Sequence, residues 1–196
     1  ASIASMFSKE MAVLLTNVVL LVFTFTVFLG TIFPIVTEAV RGIKVSVGEP
    51  YYNQMAPPIG ILLMLIMGIC PVLPWGKPNK KRIIRSLILP LVVAFVVLVV
   101  CVVVSAGSFY LIATFTSAAF ALVVIMRELL LPINKRIKNH GENIFTAAIR
   151  AIMVARRRSG GYIVHLGIIV IVISIAASQA YKTTVEVSLS IGQSFS

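Results

Sequence analysis

Apolar residues in this chain come in long unbroken runs, each bounded by a short polar segment. Five runs carry almost no charge, over about 11–36, 58–75, 87–104, 109–126 and 162–181. A helix needs roughly 20 apolar residues to cross the hydrocarbon core of a bilayer, so each run predicts a transmembrane helix. Lys9 and Glu10 mark the polar edge of the first. The second contains Gly60, Gly68, Pro71 and Pro74, which a span tolerates where neighbouring helices take up the freed backbone groups. The third is almost entirely Leu and β-branched residues. Only Ser105, Ala106, Gly107 and Ser108 separate it from the fourth, which predicts a tight helical hairpin.

Two shorter pieces have other periods. Over Asn143–Ala155, Ile144, Ala148, Ile152 and Ala155 recur at helical spacing beside Phe145, Ile149 and Met153, with Arg150 on another side. This predicts an amphipathic helix lying at the membrane interface. In the tail, Val185, Val187, Leu189 and Ile191 alternate with Glu186, Ser188 and Ser190, and Gly192 follows as a turn. That is the pattern of a half-buried strand, which needs a partner sheet to be stable. The expected fold class is therefore an all-α integral membrane protein. It has five transmembrane helices, one interfacial helix and a C-terminal external β-strand. A membrane domain covers 1–182, and 183–196 begins a β-rich tail.

Composition agrees. Of 196 residues, 59% are hydrophobic and 12% charged, and the mean hydropathy is +1.06. A small soluble domain cannot hide that much apolar surface, so soluble and disordered classes are excluded. Nothing before Met11 reads as a signal peptide. The net charge of +11 would suggest nucleic acid in a soluble chain; here no polar domain exists to present such a surface, and no nucleic-acid partner is expected. Instead the charge orients the chain. The segments 76–85 and 127–161 hold 13 of the 17 basic residues. The positive-inside rule puts both segments in the cytoplasm (or matrix), the N-terminus inside and the C-terminus outside. An odd number of spans requires the same.

Candidate chemistry is sparse. Cys70 and Cys101 lie in apolar runs with no C-x-x-C spacing, which fits small buried hydrophobes. No span carries Asp, Glu, Lys or Arg at its middle, against a proton-coupled transporter. No Ser-His-Asp set, P-loop or metal cluster is present. His140, between Asn139 and Gly141, reads as a solvated loop residue. His165 lies within the fifth span, where a polar side chain usually faces the bundle interior or a cavity. Neutral imidazole is a good axial ligand for haem iron. Gly161 and Gly167 beside it could admit a flat macrocycle or another helix. On these residues alone, a packed histidine and a ligand are equal alternatives. The run Arg156-Arg157-Arg158 stops the span at the cytoplasmic face, and one of these arginines could pair a haem propionate. The segment Ser46–Asn53 reads as an external loop with Tyr51 and Tyr52 as interfacial anchors.

In order along the chain, several motifs resemble the CcmF/CycK family of cytochrome c maturation. They are Ser8-Lys9-Glu10 with Leu14, Leu15 and Asn17; Gly30-Thr31-Ile32-Phe33-Pro34; Ser46-Val47-Gly48-Glu49-Pro50-Tyr51-Tyr52-Asn53; Met67-Gly68; and Gly160-Gly161-Tyr162-Ile163-Val164-His165-Leu166-Gly167. The match is to the C-terminal part of that haem lyase subunit. The resemblance implies that His165 is one axial ligand of a membrane haem b, and so the metal ligand of this chain. It implies a role in positioning haem for thioether attachment to apocytochrome c. The family's Trp-rich external segment, its external histidines and the second in-span ligand have no counterpart here; Trp75 is the only tryptophan and lies at the other end. The attachment site itself is therefore not expected in this chain, and no catalytic residue is assigned. Implied partners are membrane lipid, the remaining part of the haem lyase, CcmH, the haem chaperone CcmE and apocytochrome c. The implied location is a bacterial inner membrane or a mitochondrial inner membrane. The rival reading is a structural subunit of a membrane complex with His165 merely packed; a small transporter subunit would need a polar midplane site that the second span lacks.

Overall fold

The computed structural model describes residues 8–43, 45, 47–75, 80–104 and 108–180. Six α-helices carry nearly all of them: α1 (Lys9–Arg41), α2 (Glu49–Ile69), α3 (Lys80–Val103), α4 (Phe109–His140), α5 (Ile144–Val154) and α6 (Arg156–Ala180). A 3-10 turn, Cys70–Val72, extends α2. All but α5 are long and apolar enough to cross a membrane. Among the described residues there is no strand. The strand expected over 185–191 lies outside them.

Every long helix outruns its apolar stretch. The Ser8 side chain caps α1 by accepting from the Met11 N–H at 3.3 Å, and α1 continues past Pro34 to Arg41. Pro50 sits in the first turn of α2, where a missing N–H costs nothing. The segment Glu49–Asn53 is thus the start of a helix rather than loop. The basic segment expected as loop between 127 and 161 is mostly helical as well. At 1.5 Å per residue, the 32 residues of α4 reach about 48 Å, well beyond the roughly 30 Å hydrocarbon core. His140 is the last residue of α4, not a loop residue, and Gly141 closes the helix in the left-handed conformation. Arg156, Arg157 and Arg158 form the first turn of α6.

Helix α4 is the centre. It packs against α2, α3, α5 and α6, whereas α1 packs mainly against α2. Small residues on α4 make the approach possible: Ser117, Ala118 and Ala121 are buried, beside Phe120, Val124 and Ile125. One cluster joins Met64 of α2, Ala118, Ala121 and Ile125 of α4, and Tyr162 and Ile169 of α6. A second joins Ala94 of α3 to Phe120 and Val124. Gly68 fixes the α2–α4 distance, since a Cβ there would lie 2.8 Å from the Phe120 ring and 3.1 Å from the Ala121 Cα. Elsewhere, large apolar side chains face outward, among them Leu21, Phe25, Ile35 and Phe95. In water such a surface would drive aggregation; in a bilayer it is the solvent-matched face.

Two contacts align the helix ends. The Lys9 N–H donates to the Pro74 carbonyl at 3.1 Å, and its ammonium lies 5.7 Å from the Trp75 ring centroid. The Arg127 guanidinium donates to the Ser86 carbonyl, joining α4 to α3. The start of α1, the end of α2, the start of α3, the lower half of α4, α5 and the start of α6 therefore share one end, the basic end.

Candidate functional site around His165

Tyr162, Ile169 and Ala176 of α6 are buried, and they mark the face turned to α4. His165 stands three residues after Tyr162 and four before Ile169, close to that face but off its centre. Its side chain is half-buried. The ring makes no hydrogen bond among the described residues, and Nδ1 is buried with no partner. Buried polar atoms are almost always satisfied, so an orphaned imidazole nitrogen in a span stands out. Gly161, one turn before, has open space where a Cβ would stand, and so does Gly167. Gly161 shares the side of the helix that carries His165, whereas Gly167, two residues on, faces away from it. An imidazole without a hydrogen bond and a glycine with open space one turn before it are the donor and the clearance that one side of a haem requires. Among the described residues no group of three His, Cys, Asp or Glu side chains could hold a metal ion. His140 is elsewhere, at the far end of α4.

The arginine run is split. Arg158 lies 5.8 Å from the Tyr162 ring in a cation–π contact. Arg156 and Arg157 are exposed. Cys70 and Cys101 are free thiols, each half-buried.

Three features were not expected from the sequence. First, Tyr51 and Tyr52 pack back onto α1: the Tyr51 hydroxyl donates to the Thr26 carbonyl at 3.1 Å, and Tyr52 covers Gly30. Their position in the Ser46–Asn53 motif signalled importance, but not the partner. Second, a cavity of about 520 Å³ opens between α2, α4 and α6 at the end away from the basic one. Tyr52, Asn53, Tyr110 and Gln179 give it a polar rim, and Met64 and Val172 an apolar floor. It depends on three helices meeting, which no local pattern encodes. Third, Glu142 is a clamp. Its carboxylate accepts from Arg150 at 2.6 Å and lies 3.7 Å from Arg136. The Arg150 hydrogen bond, helped by the charges of Arg150, Arg136 and His140, holds the Glu142 carboxyl below the usual carboxylate range despite partial burial. Besides Glu128, Glu142 is the only acid between 127 and 161, a sequence signal that was available.

Fold and site together define a class: a multi-pass helical membrane protein carrying one uncommitted intramembrane imidazole. Comparison with known proteins narrows this. The chain is 29% identical over 96% of its length to the cytochrome c-type biogenesis protein CcmF of Pseudomonas aeruginosa, covering 27% of that protein. It is 28% identical over 97% of its length to CcmF of Escherichia coli, again covering 27%. With CcmF of Pseudomonas fluorescens the identity is 32% over 64% of this chain and 19% of the relative. The chain thus spans about a quarter or less of the length of the curated relatives it matches. Its similarity, in keeping with the ordered motifs, is to the C-terminal part of the CcmF/CycK family. No family profile and no solved structure matches it.

Proposed function

We propose that this chain is part of a cytochrome c haem lyase and supplies His165 as one axial ligand to a b-type haem in the membrane. The observation that carries the proposal is the partnerless His165 imidazole inside the Gly160–Gly167 motif, in a chain whose relatives are named cytochrome c-type biogenesis proteins. Bound haem supplies reversible one-electron chemistry at a potential set by its ligands and burial. The chain's own residues do the rest. His165 offers an imidazole nitrogen from a helix fixed against α4 by Tyr162 and Ile169. Gly161 keeps space clear for a macrocycle. Arg158, beside Tyr162 on the same helix, offers a guanidinium group for a propionate. The second ligand, and the site where haem meets apocytochrome c, would come from the remaining part of the lyase, with CcmH and CcmE as further partners. The basic end would face the cytoplasm or matrix, in a bacterial or mitochondrial inner membrane.

The test is maturation in cells that depend on the protein. His165→Ala should lower covalently haem-bearing c-type cytochrome on haem-stained gels by about tenfold or more, the scale at which groups around a metal act. Wild-type levels of holocytochrome in that variant would refute the proposal.

A further inference from the structure

Helix α5 is amphipathic in an unusual way. The residues it buries against its neighbours are two alanines, Ala147 and Ala151. Its large apolar side chains point away: Phe145 is 79% exposed, and Ile149, Ile152 and Met153 are exposed with it. At helical spacing these four fall on one stripe. The stripe is set in place, because Arg150 on α5 is tied to Glu142, which also draws in Arg136 from α4. Around it stand cations. Lys135 and Lys138 lie on one side of the last turns of α4, and Arg156 and Arg157 open α6. All four are exposed and have no acidic partner among the described residues. The helices on either side of α5 are both long and apolar enough to cross a membrane. In a bilayer the stripe would continue the lipid-facing surface of those helices, at the level where they leave the hydrocarbon.

We propose that α5 and these flanking cations form a binding surface for anionic phospholipid of the adjoining leaflet. The Phe145–Ile149–Ile152–Met153 stripe lies in the upper acyl region, and Arg156, Arg157 and Lys138 hold the phosphate-bearing headgroups. An apolar helix face immersed at the interface gains by burial, and each nearby cation gains further where the lipid is negative. Charge selects the lipid: with Glu142 already committed, the excess here is positive, so phosphatidylglycerol or cardiolipin suits it better than a zwitterionic lipid. This inference is independent of haem.

The chain in its native membrane assembly, reconstituted in phosphatidylcholine with spin-labelled lipid, provides the test. Electron paramagnetic resonance reads the fraction of labelled lipid immobilised at the protein. Phosphatidylglycerol should be preferred over phosphatidylcholine, and raised salt should weaken the preference. The double variant Arg156→Gln/Arg157→Gln should reduce it by up to about fivefold for each charge removed, the scale of an interfacial cation. Arg41→Gln, a charge removed at the opposite end, should leave it unchanged. Equal association of the two lipids would overturn the proposal. So would a preference that the Arg156/Arg157 variant leaves intact, the result expected if another protein covers α5, or one that Arg41→Gln abolishes.

Discussion

Individual residues here do work that their neighbours in sequence do not announce. Glu142 holds the turn between α4 and α5 through Arg150 and Arg136. Its carboxyl is depressed in the folded state, so the clamp's stabilisation is complete above the ordinary glutamate pKa of about 4.3 and is lost as pH falls through the depressed value. Protection factors at the Ala147 and Ala151 amides, with the intrinsic pH dependence of exchange divided out, should therefore fall on acidification below that range. Glu142→Gln should show low protection already at neutral pH and no further acid-induced loss; unchanged protection in that variant would mean the clamp is incidental. His165 was legible from sequence, because an ionisable side chain stands out in a span. What the sequence leaves open is whether the ring is satisfied by a neighbour, since that depends on how α6 rotates against α4. In this structure Nδ1 is buried with no hydrogen-bond partner among the described residues.

At the scale of elements, the five spans were legible because uninterrupted apolar runs have few other uses. Their ends were not. Hydropathy reports immersion in lipid, whereas helicity continues wherever backbone bonds can be made. The polar turns Glu49–Asn53, Leu129–His140 and Arg156–Gly161 are all helical for that reason. Helix α5 was expected over Asn143–Ala155 and forms over Ile144–Val154, but its buried stripe is Ala147 and Ala151, not the larger apolar residues that suggested it. Small residues decide which faces meet, as they do between α2 and α4. Gly68→Leu should push α2 from α4 against the Phe120 ring and the Ala121 backbone. Overpacking of this kind costs about 1–3 kcal/mol, read as a lower unfolding midpoint of the detergent-solubilised protein. A midpoint equal to wild type would show that the α2–α4 contact is looser than described.

On the scale of the whole molecule, charge and topology make one account. The contacts of Lys9 with Pro74 and Trp75, and of Arg127 with Ser86, gather the basic segments at one end. If that end faces the cytoplasm or matrix, cysteines introduced as Lys138→Cys and Arg41→Cys in a Cys70→Ala/Cys101→Ala background should label oppositely. A membrane-impermeant maleimide should reach position 41 in intact spheroplasts and position 138 only after lysis; the reverse pattern would invert the topology. The cavity between α2, α4 and α6 and the cover over His165 are properties of assembled helices, and neither could be read locally. The central claim is that His165 binds haem iron. It is tested most directly by the reduced-minus-oxidised absorption spectrum of the detergent-purified assembly, wild type beside His165→Ala, with the assembly shown to be complete in both. A low-spin b-type spectrum in the wild type that is lost or shifted in the variant is the predicted result. An unchanged b-type spectrum in the variant, or no haem in either protein, would contradict the claim.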